Sequence, residues 1–432
     1  MICPKILYKI DFKIKTAIHI GSGEEINGNA NFFKNGKGDL FIPGSSIAGV
    51  FFERLESLNK NIKDNNFYKE LTQRNKKIEE KDKNEEAFEA SRIIFKGAVI
   101  QNPYLKVKNR IKIDNPTKTA EDTAKFSYWQ VEPSDKESDF SIFLEIDNIS
   151  KINKYLSDKD LKDIETSVDT VIKSWKKEGF KIGAFSNSGN GWCELKNYFK
   201  IKLDSKEKFK NYLEKRESIF DEKNKIKDPN NNNNNVKKVY KKFKLKIKII
   251  DEDDGYGTNG LLIKGSDIEK SLNSNNNVDS PFINTGKKLY IPGSSVKGAF
   301  NSFFEKYGAN KSLYENWKEV TGQKNAKNYE DKKAGKVVIK DLFIIKYDFK
   351  NLIQIERHKE DEFTRAIFGS GKFNEERLFN SCFEGDILIK KSDYNDKIDD
   401  LINFLKQGMQ NRLISLGSNH CFPVFELKEV TE

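Results

Sequence analysis

Two ten-residue stretches decide how this chain reads: IPGSSIAGVF at residues 42–51 and IPGSSVKGAF at residues 291–300. Seven of the ten positions are identical, and the second copy lies 249 residues after the first. A repeat of that period is too long for a solenoid unit and marks a duplicated domain. In each copy a proline sets a turn, a glycine permits backbone that other residues avoid, and two serines stand where a helix begins. GVFFERLESL and GAFNSFFEKY follow, with aromatic residues at helical spacing. Amides and hydroxyls at a helix start make an anion cradle, here Gly44, Ser45 and Ser46 in one copy and Gly293, Ser294 and Ser295 in the other. A serine N-cap after a tight turn accounts for the same residues without a ligand. Lys297, present only in the second copy, adds charge where a phosphate would sit.

Outward from the turns, other features recur in the same order. Each half opens on alternating apolar and charged residues, YKIDFKIKTAIHI (8–20) and KFKLKIKII (242–250), which predict half-buried strands. After the helix come apolar strands, RIIFKGAVI (92–100) and KVVIKDLFII (336–345), then basic loops at 106–126 and 353–368. The loops carry Lys106, Lys108, Arg110 and Lys112 in the first half and Arg357, His358 and Arg365 in the second. Long polar loops between strands are where binding concentrates, although a solvated charged loop needs no ligand. A further strand follows, DFSIFLEID (139–147) and GDILIKK (385–391), then a helix, then IGAFSNSGNGWCEL (182–195) and ISLGSNHCFPVFEL (414–427). Strands alternating with helices in two copies predict an α+β chain of two tandem ferredoxin-like domains with inserted loops. DPNNNNNN at 228–235 cannot build a core. The expected division is a first domain at 1–205, a charged and Asn-rich linker at 206–236, and a second domain at 237–432.

Composition narrows the function. The 432 residues hold 77 Lys and Arg against 66 Asp and Glu, a net charge of +11 that suits a polyanion partner or a solvated surface. No stretch approaches the roughly 20 apolar residues of a membrane span, and the first residues alternate in polarity, so a cytoplasmic chain with no membrane partner is expected. Cys3, Cys193, Cys382 and Cys421 are too scattered for a zinc site or a disulfide framework. P-loop, HExxH and GxSxG motifs are all missing, and GSGEE (21–25) is not followed by the helix that a dinucleotide fingerprint needs, which disfavours a nucleotide-hydrolysing or cofactor-dependent enzyme.

Two further features carry possible chemistry. In SNSGNGW (186–192), Asn187, Gly189 and Gly191 offer backbone amides to phosphate or sugar, and Trp192 offers a face to a base; a hairpin with a core tryptophan is the alternative. Asp279, in VDSPFINTGKKLYIPGSS, lies twelve residues before the second turn. At the constant offset of 249 the first half has Ala30 there, between Asn29 and Asn31. A lone Asp so placed can bind a divalent metal beside a phosphodiester, help deprotonate a ribose 2′-hydroxyl, or simply start a turn before Pro281.

HIGSGEE, IPGSS with its helix, the basic loop and the glycine-rich SNSGNGWCEL, in that order, resemble the repeat-associated mysterious proteins (RAMPs) of CRISPR systems. The resemblance is in particular to the type III effector backbone subunits, and VDSPFINTGKKLYIPGSSVKGAF resembles their target-cutting segment. The resemblance implies RRM-like domains that bind guide crRNA, a thumb that kinks the guide–target duplex, and divalent-metal-dependent cutting of target RNA, with Mg2+ as the expected ion. It makes Asp279 the cleavage residue and a metal contact. Gly44, Ser45, Ser46, Gly293, Ser294, Ser295 and Lys297 become guide contacts, and Asn187, Gly189 and Gly191 fall in the glycine-rich loop. The first half lacks the Asp, so it is expected to bind RNA without cutting. Two such domains in one chain resemble the fused subunits of type III-D systems, with guide crRNA, target RNA and other type III subunits as partners. Alternatives are a non-cutting subunit at the guide 3′ end, a guide-precursor endoribonuclease using His19 or His358, and a non-catalytic scaffold.

Overall fold

The computed structural model describes residues 5–26, 29–59, 91–113, 120–133, 138–148, 157–215, 219–220, 238–250, 260–265, 271–272, 278–285, 288–308, 311–322, 335–346, 348–360, 367–417 and 421–430. The first half contributes β1 (Lys5–Ile14), β2 (Gly21–Ile26), β3 (Asn29–Phe32), β4 (Phe41–Ile42), α1 (Gly44–Leu58), β5 (Ile93–Phe95), β6 (Ala98–Val99), β7 (Tyr104–Ile113), β8 (Ala120–Glu132), β9 (Asp139–Asp147), α2 (Asp158–Glu178), β10 (Phe180–Lys181), β11 (Trp192–Lys202) and α3 (Lys206–Lys215). The second contributes β12 (Tyr240–Ile249), β13 (Tyr290–Ile291), α4 (Gly293–Tyr307), α5 (Lys311–Thr321), β14 (Val337–Ile339), β15 (Leu342–Lys346), β16 (Leu352–Glu360), β17 (Ile367–Leu378), β18 (Ser381–Lys390), α6 (Asp396–Gln410) and β19 (Val424–Glu429).

Period-two patterning puts β1 and β12 at the centre of their sheets. Tyr8, Ile10, Phe12 and Ile14 point into one core, and Phe243, Leu245, Ile247 and Ile249 into the other. The first sheet runs β10-β11-β1-β9-β5 with antiparallel neighbours; the second runs β13-β15-β18-β12-β19, with β14 also on β18. Counting only the four principal strands of each half, both sheets have the order 4-1-3-2 of a ferredoxin-like fold, with a helix in each crossover. The expected fold class is therefore the observed one. Under the first sheet Phe12, Phe51, Phe180 and Trp175 form a ring cluster with Trp175–Phe180 centroids 4.7 Å apart; under the second, Phe304 stacks on Trp317 at 4.5 Å. Each such buried ring contributes about 2–3 kcal/mol by removal from water.

Three local expectations change. The strands at 92–100 and 336–345 each break in the middle, at Lys96–Gly97 and at Lys340–Asp341. The basic loops are antiparallel hairpins, β7–β8 and β16–β17; the first joins β2 and β3 in a four-stranded sheet. Both hairpins reach a core only at their bases, through Val131 in one and Leu352 and Leu378 in the other, and leave Leu105, Phe126 and Ile353 exposed, so their alternation lacks the apolar contrast that marks a core strand. Finally, the start of the expected linker is helix α3, tied to the first sheet where the Tyr212 hydroxyl donates to Glu145 Oε1 at 2.9 Å. The Asn-rich tract itself lies outside the described residues.

The halves are joined by a buried seam. Glu178, at the end of α2, accepts the backbone N–H groups of Val239 and Tyr240 at 3.0–3.1 Å, so the first half satisfies the start of the second half's central strand. Arg54 from α1 pairs with Glu178 at 3.0 Å, donates to Gly179 O at 3.0 Å, and lies over the Tyr240 ring. Trp192, Val239, Tyr240, Val338 and Leu388 form an apolar cluster drawn from both halves.

Candidate nucleic-acid interface

Both IPGSS turns are built on close backbone approach. A Cβ added to Gly44 would lie 2.2 Å from Phe95 O, and one added to Gly293 would lie 2.1 Å from Ile339 O, so only glycine lets these helices press onto the strand break. Pro43 and Pro292 occupy the N-cap positions in extended backbone, and neither helix has a side-chain cap. The serines are thus not N-caps, and the amides of Ser46 and Ser295 turn back onto the Pro43 and Pro292 carbonyls at 3.0 and 2.9 Å. Ser45 is exposed; Ser46, Ser294 and Ser295 are half-buried.

The two turns then diverge. In the second, Asp341 sits in the strand break and its Oδ1 accepts the Gly293 N–H at 2.8 Å. Burial pushes this carboxyl up to about 6, against the pull of the Gly293 amide and of Lys108 and Arg110. The corresponding break in the first half holds Gly97, packed on the Phe41 ring. The second cradle therefore already contains an anion, supplied by the chain. Lys297, one turn into α4, donates to Thr321 O at 2.7 Å, and burial with help from the Arg110 charge pushes its ammonium down to about 8.

The glycine-rich loop closes over this same point. Residues 186–188 form a single 3-10 turn between Phe185 and Gly189, both left-handed. Gly189, with φ +94°, is so close to the second half that an added Cβ would lie 2.7 Å from Asp341 N. Gly191, with φ +84°, would collide with Ile182 O at 2.0 Å. Asn187 lies against Gly335. Trp192 is buried, its ring under Lys340 Nζ at 4.0 Å, so its face is closed to a stacking base and that expectation is corrected: the loop docks the first half on the second.

Strand β7 reaches the second half too. Lys106 Nζ donates to Asn284 O and Lys108 Nζ to the Tyr290 hydroxyl, each at 3.2 Å. Arg110 donates from Nε to the Tyr128 hydroxyl and covers the Phe185 ring at 4.0 Å. Lys106, Lys108, Arg110 and Lys112 alternate along one strand, although the side chain of Lys112 lies outside the described residues. Arg357 and His358 are exposed on β16, and Arg357 pairs with the buried Glu375 at 3.2 Å; Arg365 lies outside the described residues.

Asp279 is exposed, and its Oδ2 accepts the Asn374 N–H at 2.8 Å, seating the carboxylate on β17. Ser280 beside it bridges Glu375 in parallel. The first-half equivalent follows from backbone pairing rather than from a constant offset. The bridges Ile18–Val131 and Leu261–Leu378 correspond, and three residues back from each lie Tyr128 and Glu375, which pair with Ala30 and Ser280. Asn29 therefore matches Asp279, and the assignment to Ala30 is corrected. The offset slips because the loop to the next bridge runs from Lys34 to Leu40 in one half and from Asn284 to Leu289 in the other, one residue shorter.

Among the described residues, no group of three or more His, Cys, Asp or Glu forms a metal cage. An exposed single carboxylate does fit Mg2+, which is commonly held by one or two carboxylates with phosphate oxygens and water. Asp341, with the buried Gln130, Glu132 and Asn190 near the seam, escaped the sequence reading. The one available signal was the polar pair Lys340–Asp341 inside the apolar run KVVIKDLFII.

Paired ferredoxin-like folds, each with a glycine-seated helix and an inserted hairpin, and a basic strand crossing the seam define a tandem RRM-like architecture. The RAMP superfamily model matches residues 11–194 and 255–420, and the chain belongs to that superfamily. Comparison with curated proteins gives no match. Among solved structures the chain is similar to one in the cryo-EM structure of the type III-B Cmr-beta complex bound to cognate target RNA. Identity is 15%, the TM-score is 0.32, and the match covers 46% of this chain and 62% of that one. Among the described residues no helix is long and apolar enough to cross a membrane.

Proposed function

We propose that this chain is a backbone subunit of a CRISPR type III effector complex that binds guide crRNA along its two halves and cuts complementary target RNA at Asp279. One observation carries the reading: an exposed carboxylate on a firm backbone seat lies on the same segment that receives the lysines of β7 at Asn284 and Tyr290. Base pairing would read the target sequence while the protein holds the backbone, so no base-specific pocket is required. The Asp279 carboxylate would accept the proton of a ribose 2′-hydroxyl and orient that oxygen in line with the adjacent phosphorus. Mg2+ held by Asp279 with phosphate oxygens would supply charge neutralisation at the scissile phosphate. A guide-processing role for His19 fits less well, because His19 is buried, holds the Trp129 carbonyl through Nδ1 at 2.6 Å, and has its pKa lowered by burial.

The test is cleavage of a labelled, guide-complementary RNA by the assembled complex, wild type against Asp279→Ala, with Mg2+ and with chelator. Loss of cutting by roughly 10²–10⁴-fold, with the guide still bound, is the expected result. A wild-type complex that makes no cut dependent on Asp279 would transfer the subunit to the guide-end or scaffold reading.

A further inference from the structure

The seam occupies one face of the second sheet, and the first sheet has the same face. Strand pairing gives the match: Val338 lies opposite Leu388 and Leu388 opposite Lys242, as Ile94 lies opposite Glu145 and Glu145 opposite Leu7. Two residues along, the pair Tyr240–Lys390 matches Lys5–Asp147. In the second sheet this patch is apolar and filled by the first half, since Trp192 packs with Tyr240, Val338 and Leu388. In the first sheet it is charged and covered in another way. Glu145 stands in the place of Leu388 and takes Lys96 at 2.7 Å, Lys5 at 3.3 Å and the Tyr212 hydroxyl of α3 at 2.9 Å. Phe220, five residues past α3, lies against Phe143 and Phe199, with ring centroids 5.9 and 6.4 Å apart. Both of those residues pair with Lys9, which puts them on the face of Glu145. Helix α3 has no buried residue and adds nothing to the first core, so the core does not account for its place.

The other end of the chain carries the complementary feature. Lys13 pairs with Glu194 and Lys248 with Val424, so Trp192 matches Phe422, two residues earlier in each strand. Trp192 is buried in the seam, whereas Phe422 is 39% exposed. A knob at one end and a fitting face at the other let identical chains add head to tail.

We propose that α3 and Phe220, together with Glu145, form a cap within the chain. The cap closes on the first sheet the face that the seam uses on the second, and it keeps a second copy of the chain from stacking there through Phe422. The inference needs no RNA and does not depend on Asp279.

Sedimentation of the full chain across a dilution series tests the cap with five proteins. These are the wild type, Tyr212→Ala with Phe220→Ala, that pair with Glu145→Leu, and each of the two opened chains with Phe422→Glu. The wild type is expected to stay monomeric. Both opened chains are expected to self-associate, with Kd lowered roughly tenfold or more, and most in the chain with Glu145→Leu. Phe422→Glu is expected to return each to the monomer. The alanine pair trims only the outer face of the sheet, and a cooperative melt checks the fold of every variant; where the Glu145→Leu chain does not melt cooperatively, the alanine pair decides alone. A wild type that associates through Phe422 overturns the cap. A folded alanine pair that stays monomeric overturns the role of α3, and association that Phe422→Glu leaves unchanged overturns the docking route.

Discussion

Asp341 shows how much one side chain can carry at the seam. Its carboxyl titrates at about 6 in the folded chain against an ordinary 3.8, so the native state keeps a proton that the unfolded chain has already released. Stability therefore falls as pH rises from 3.8 to about 6 and stays lower above that range. The shift of about two units corresponds to roughly 3 kcal/mol at about 1.4 kcal/mol per unit. Asp341→Asn keeps an oxygen for the Gly293 amide and loses the charge. We expect it to remove this pH slope and to gain on the order of 1–3 kcal/mol at pH 7 in urea unfolding; a difference from wild type that does not change with pH would contradict the assignment. At this scale the sequence is legible in part. The glycines of SNSGNGW stand out at once, but Gly189 is there for Asp341, more than 150 positions away, and a contact of that separation leaves no local pattern.

Among the elements, strand β7 joins the two readings of the basic segments. Its lysines and arginine were visible, yet the segment read as a loop without clean periodicity, because only the base of the hairpin, at Val131, reaches a core. The central strands β1 and β12 were legible for the opposite reason: one face is wholly buried and the other charged. If Arg110 reaches RNA phosphate, Arg110→Ala should weaken guide RNA binding and lower the slope of log K against log salt by about 0.7–0.9. Titrations at several salt concentrations measure this. An unchanged slope with a lower melting temperature would instead assign Arg110 to its contacts with Tyr128 and Phe185.

In the whole molecule the duplication could be read directly, since both sheets follow from features repeated in order. The seam could not, because the residues that build it are those in which the copies differ: Asp341 against Gly97, and Glu178 holding the start of β12. Arg54 and Glu178 are a buried pair, so removing one leaves the other charged and uncompensated. Arg54→Ala is expected to cost roughly 3–5 kcal/mol and to split one cooperative unfolding transition into two, as followed by calorimetry. A single transition with an unchanged midpoint would show that the halves are held by other contacts. Glycine against backbone at Gly189, and a carboxylate gripping the first amides of β12, leave little play between the copies. The interval between Asn29 and Asp279 is thereby built into the chain, a fixed pitch that neither copy can change alone.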